Sequence, residues 1–103
     1  MTAGTVLILA GTAEGRELAG RLTARGLRVI SALAGRTPEI VPRPGDLRTG
    51  GFGGASELAA WLQQHRVTAV VDATHPFAQA ISARAAVACA QTGTPLISLQ
   101  RPP

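Results

Sequence analysis

Apolar positions along the chain switch repeatedly between two spacings. Residues 5–10, TVLILA, are a short apolar run rich in β-branched side chains and closed by Gly11, the pattern of a buried strand. Over residues 14–25 the spacing changes: Gly15, Leu18, Ala19 and Leu22 recur at i, i+3, i+4 and i+7, one face of a helix. Gly26 stands where a helix places its stop. Residues 27–34, LRVISALA, read as a second strand. Residues 37–54 are less regular, rich in Pro and Gly, with room for a short strand over 46–49. A second helix is predicted over 55–66, with Leu58, Ala59 and Leu62 aligned and Trp61 and Leu62 straddling the buried edge. A strand follows over 67–73. A helix over 76–92 has Phe77, Ile81, Ala85, Ala88 and Cys89 on one side, and Gly93 ends it. Residues 95–99 are the last apolar run. Strands alternating with helices predict an α/β domain with a parallel sheet. Right-handed crossovers then give a doubly wound five-stranded sheet in the order 3-2-1-4-5.

The length, 103 residues, is that of one small domain. Aromatic residues are only 3%, so Ala and Leu build the core and helices can approach the sheet closely. Every basic residue is Arg, and the net charge is +4. The arginines are scattered rather than run together. With no aromatic platform beside them, a nucleic-acid interface is not expected. A mild positive field favours anionic small molecules. Cys89 is the sole cysteine, so no internal disulfide exists, and its helical setting predicts a buried, inert thiol. No metal-ligand set is read in the chain. The opening MTAGTVLILAG lacks the basic start and long apolar core of a signal peptide, and no apolar stretch has membrane-spanning length. A soluble, cytoplasmic protein is expected.

The loop joining the first strand to the first helix, Ala10-Gly11-Thr-Ala-Glu-Gly15, approximates the dinucleotide fingerprint G-x-G-x-x-G. Gly11 fits the tight turn, small Ala13 lets a ligand approach the backbone, and Gly15 permits close helix–sheet packing. Thr12 suits either a helix cap or a hydroxyl donor to phosphate. Amide groups at the positive end of a helix suit a pyrophosphate. The plain alternative is a capped turn with no ligand. In folds of this kind an acidic residue about 20 positions further on holds a ribose 2′-OH. Here Arg36 stands 21 positions beyond Gly15, where its planar fork suits a 2′-phosphate. Ser31 is less well placed by spacing, though its hydroxyl could assist. If a dinucleotide binds, NADP(H) is preferred over NAD(H).

Two further stretches carry chemistry. Gly50 to Gly54 reads GGFGG, a costly loop to order, which lets main chain approach a flat ligand with Phe52 available for packing. Val70 to Ser82 reads VVDATHPFAQAIS, in which Asp72 to His75 closes the fourth strand and Pro76 suits the first turn of a helix. Carboxyl ends of strands line the crevice of an open α/β sheet, so Thr74 and His75 are expected there. Three roles suit His75: proton donor, partner of a substrate carboxylate, or helix cap. Asp72 suits a cap or a hold on a neighbouring loop, and His65 suits a surface position.

The ordered set AGTAEGRELA, SALAGRT, GGFGG and VVDATHPFAQAIS resembles the precorrin-6A reductase family of cobalamin biosynthesis, over residues 6–101. GGFGG and DATHPFA are its specific parts. The resemblance implies an NADPH-dependent reductase built of two Rossmann-like domains, with the site between them and residues 1–103 forming the first. By position it places Gly11, Thr12, Ala13 and Glu14 by the pyrophosphate and ribose. Ser31, Gly35 and Arg36 would meet the adenosine phosphate, and Gly51, Phe52 and Gly53 would follow the third strand as cofactor contacts. Thr74 and His75 would lie near the nicotinamide end, with His75 the candidate for binding substrate. The family loop often begins Gly-Gly-Thr, whereas this one has Ala10-Gly11-Thr12. The implied partner is an acidic corrin precursor, which suits a net-positive chain, with a second domain or a homo-oligomer completing the cleft. Neither nucleic acid nor membrane is expected. A non-catalytic NADP(H)-binding module is the alternative function.

Overall fold

In the computed structural model the described residues are 4–33, 45–49, 52–74 and 79–99. They form β1 (Thr5–Leu9), α1 (Ala13–Ala24), β2 (Arg28–Leu33), β3 (Asp46–Thr49), α2 (Ala55–Gln64), β4 (Val67–Asp72), α3 (Gln79–Thr92) and β5 (Leu96–Ser98). The strands make one five-stranded sheet in the order β3-β2-β1-β4-β5. Every neighbouring pair is parallel. This is the α/β topology that the alternating pattern predicts.

The central strand β1 is buried on both faces, which explains why TVLILA is continuously apolar rather than alternating. Its side chains divide the core in two. Leu7 and Leu9 face α2 and α3 and pack with Ile30, Leu58, Leu62, Val70, Ala85 and Ala88. Val6 and Ile8 face α1 and pack with Ala19, Val29 and Val71. The first of these cores is the larger, and Phe52 and Trp61 add half-buried rings to its margin.

Helix ends follow from local chemistry. After α1 the Gly26 N–H donates to Thr23 O at 3.0 Å and Leu27 N–H to Leu22 O at 3.2 Å, with Gly26 at φ 85°. That is the double-bonded Schellman stop. α3 stops similarly, with Gly93 at φ 72° and Thr94 N–H donating to Cys89 O at 3.0 Å. The helix predicted over 55–66 ends two residues earlier in regular geometry. His65 is its C-cap and Arg66 takes the left-handed conformation, φ 53°, without glycine's freedom. The start of the helix predicted over 76–92, including Phe77, lies outside the described residues. Among the described residues no helix is long and apolar enough to cross a membrane.

Candidate functional site

β1 and β4 are neighbours at the point where strand order reverses, so their carboxyl ends flank the crevice in which ligands of open α/β sheets lie. Beyond β1, Ala10 N–H still donates to Ala32 O at 2.9 Å, and then the chain turns at Gly11. Gly11 has φ 152°, which L side chains rarely adopt, so the turn requires glycine. Thr12 follows in extended conformation as the N-cap of α1. Its Oγ1 accepts the Gly15 N–H at 3.3 Å and donates to Ala73 O at 2.8 Å. The hydroxyl has a single proton, and that proton is committed to Ala73. Of the two roles open to Thr12, the helix cap is the one adopted in this geometry. The bond to Ala73 also crosses the crevice floor, tying the turn after β1 to the end of β4.

Gly15 completes that junction. A Cβ built on Gly15 would lie 2.8 Å from the Ala73 Cβ and 3.6 Å from Ile8 Cγ2, so only glycine lets α1 approach the sheet here. Ala13 is exposed at the start of α1, where the first amides of a helix have no partner within the helix itself. The positive helix end therefore opens on the crevice through main chain. Glu14 is half-buried in the first helical turn.

On the β4 side, Thr74 N–H donates to Asp72 Oδ1 at 3.1 Å and its hydroxyl donates to the same oxygen at 2.6 Å. Thr74 Oγ1 also lies 3.3 Å from Ser82 Oγ in the first turns of α3. Asp72 thus holds its own turn rather than capping a helix or holding a neighbouring loop, the two roles the sequence left to it. Thr74 is half-buried at this edge, beside the Thr12–Ala73 bond. His75 lies outside the described residues, as do Gly35, Arg36 and Gly51.

Ser31 sits within β2, wholly buried, and its Oγ has no hydrogen-bond partner among the described residues. Its register partners are Ile8 and Leu47, so it lies inside the sheet rather than on an open loop. Phe52 is half-buried against Trp61, edge to face with centroids 5.1 Å apart, and the Arg48 guanidinium lies 4.0 Å above its ring. The ring's packing is met by the protein itself. Gly53 adopts φ 92°, and Gly54 N–H donates to Glu57 Oε2 at 2.8 Å to start α2. That is half of a capping box, since glycine has no side chain to return the bond. His65, expected on the surface, is half-buried. It stacks on Trp61 at 4.1 Å, with Nδ1 3.0 Å from Trp61 O. Cys89 is buried, and that burial raises its thiol pKa.

Sequence reasoning did not single out Ala73, Ser82 or Arg48. The Asp-x-Thr spacing of residues 72–74 was a legible signal for a side-chain-capped turn. The carbonyl of Ala73 carried none, because its partner lies 61 residues away.

Comparison with known proteins places this geometry. A solved structure of CobK precorrin-6A reductase superposes with a TM-score of 0.92 at 44% identity, covering 97% of this chain and 40% of that one. A precorrin-6A reductase of Mycobacterium tuberculosis is 51% identical over 95% of the chain, which is 40% of the relative's length. A cobalt-precorrin-6A reductase of Salmonella typhimurium is 33% identical over 99% of the chain and 39% of its own length. The chain therefore spans about 40% of the length of the curated relatives it matches. The family model described as precorrin-6x reductase CbiJ/CobK matches residues 5–103, and the chain belongs to that family.

Proposed function

We propose that this chain is the NADPH-binding part of a precorrin-6A reductase, which reduces precorrin-6A to precorrin-6B in cobalamin biosynthesis. The observation that carries the reading is the crevice between β1 and β4. There the positive end of α1, with Ala13 exposed, is tied through the Thr12–Ala73 bond to the Asp72–Thr74 turn. The residues suit a dinucleotide: Gly11 holds the turn with no side chain over it, and main-chain amides meet a pyrophosphate without steric conflict. Glu14 suits ribose hydroxyls better than phosphate, because its own charge opposes an anion. Arg36 and Gly35 follow β2 in the sequence, the side assigned to the adenosine phosphate, whereas Ser31, enclosed within β2, offers no hydroxyl to a ligand and is not assigned to it. Gly53 offers main chain where Phe52 anchors the loop against Trp61, and Gly51 is assigned with it by position in the sequence alone. His75, next after Thr74, is assigned to the substrate.

The chemistry supplied by NADPH when bound is hydride donation, and the protein's task is to hold and orient the reacting partners. Higher identity to a relative named for precorrin-6A than to one named for its cobalt form supports the metal-free substrate. A net charge of +4 suits an acidic macrocycle. The reading carries a cytoplasmic location. A cleft for so large a substrate needs another wall, from the remainder of the longer relatives or from a second copy. The second reading is a module that binds NADP(H) without turnover.

Calorimetric titration tests the cofactor. NADPH is expected to bind at least about tenfold more tightly than NADH, the scale of one charged phosphate contact. Arg36→Ala should remove most of that preference. Equal affinities would overturn the 2′-phosphate assignment, and no binding of either nucleotide would overturn the reading.

A further inference from the structure

We infer that Asp72 is a positioning residue that makes the Thr74 hydroxyl an acceptor, so that this edge reads an uncharged hydrogen-bond donor on the nicotinamide half of the cofactor. The inference rests on the cofactor reading above. It follows from counting protons. An ionised carboxylate only accepts, so at 2.6 Å the single Thr74 hydroxyl proton points at Asp72 Oδ1. The Thr74 N–H points at the same oxygen from 3.1 Å. Ser82 must then be the donor in its 3.3 Å contact with Thr74 Oγ1. The remaining lone pair of Thr74 Oγ1 can only accept.

The neighbouring hydroxyl is spent in the same sense, since Thr12 gives its proton to Ala73 O. The β1–β4 edge therefore offers two kinds of surface. Main-chain N–H at the start of α1 suits an anion. The Asp72–Thr74–Ser82 turn, carrying a carboxylate and a proton-depleted hydroxyl, opposes one. A dinucleotide crossing the strand-order reversal sends one half over β2 and the other over β4. The cofactor reading gives the phosphorylated adenosine half to the β2 side, on the place of Arg36 in the sequence after β2. The half over β4 is then the nicotinamide nucleoside, whose uncharged donors are the carboxamide N–H and the ribose hydroxyls. One such donor accounts for a hydroxyl held in acceptor state by a carboxylate on one side and a serine on the other.

The test is a set of titrations with NADP⁺ and with adenosine 2′,5′-bisphosphate, which lacks the nicotinamide half. Thr74→Val should weaken NADP⁺ about fivefold to tenfold, as loss of one hydrogen bond does, and leave the bisphosphate within about twofold. Thr74→Ser should restore NADP⁺ binding. Asp72→Asn should weaken NADP⁺ as well, because its amide can turn an N–H toward Thr74 Oγ1. Combined with Thr74→Val it should add nothing further, the sign that Asp72 acts through Thr74. An analogue with an acetyl group in place of the carboxamide identifies the donor. Insensitivity of the analogue to Thr74→Val assigns the carboxamide, and an equal loss assigns a ribose hydroxyl; either supports the inference. NADP⁺ affinity unchanged by Thr74→Val, an equal loss for the bisphosphate, or additive losses in the double variant would each overturn it. Absence of all binding by the unmutated chain would overturn the cofactor reading itself, a separate result.

Discussion

The turn after β1 and the turn after β4 lie side by side at one edge of the sheet, and each contains a threonine. Thr12 caps a helix and reaches across to a main-chain carbonyl, so its hydroxyl joins two elements. Thr74 gives its proton to a side chain two residues away, so its hydroxyl is set by local charge. The Thr12 hydroxyl spans two strands' loops, and the Thr74 hydroxyl is held within its own turn, half-buried and 3.3 Å from Ser82 Oγ. The same residue type at equivalent places thus joins two elements in one turn and braces a single turn in the other, the turn to which the proposal assigns recognition. The burial of its partner decides which. Ala73 is fully buried and its carbonyl needs a donor, whereas Asp72 is half-buried and accessible.

The comparison breaks most visibly at Gly15, on which both turns depend. Gly15→Val would force side-chain atoms into Ala73, already 2.8 Å from a hypothetical Cβ, and should cost about 3 kcal/mol through overpacking. Urea unfolding measures this. Next comes the contrast between the threonines. Thr12→Val removes a helix cap and leaves Ala73 O unpaired, costing about 2 kcal/mol. Thr74→Val should cost about 1 kcal/mol of stability, its larger effect being on ligand affinity. Equal stability losses in the two variants would erase the distinction. The other end of the helices sharpens it further. Arg66→Gly relieves a left-handed residue where α1 and α3 already use glycine, and should stabilise by about 1 kcal/mol, seen as a raised melting temperature.

The smallest effect concerns Cys89, far from the crevice. Burial raises its thiol above the ordinary value of 9.0, so the unfolded chain loses this proton before the folded one. The contribution is fully present below that value and is lost as pH rises through the folded pKa. Stability should decline modestly with alkaline pH, and Cys89→Ala should flatten that decline in paired urea titrations.

Most of the fold was legible because the apolar spacing itself changes with each element. TVLILA and VTAVVD read as strands, and the Leu18–Leu22 and Leu58–Leu62 patterns read as helices, with glycines marking two of the three helix stops. The third was misjudged by two residues, since nothing in Arg66 announces a left-handed stop. The candidate site was legible where spacing is local, as in Gly11, Gly15 and the Asp72–Thr74 turn. It was not legible where partners are distant. The choice between cap and phosphate donor for Thr12 depends on a carbonyl across the sheet. The enclosure of Ser31 depends on which face of β2 the core covers. The packing of Phe52 depends on Arg48 arriving from β3.

The proposal places a phosphate-bearing dinucleotide across the carboxyl ends of β1 and β4. Amide chemical-shift mapping during titration with NADPH tests it most directly. The largest shifts should fall on Gly11, Ala13 and Thr74, while Gly26 and Arg66, at the opposite edge of the sheet, stay in place. Shifts concentrated at Gly26 and Arg66, or absent from Gly11 and Thr74 under saturating NADPH, would contradict it.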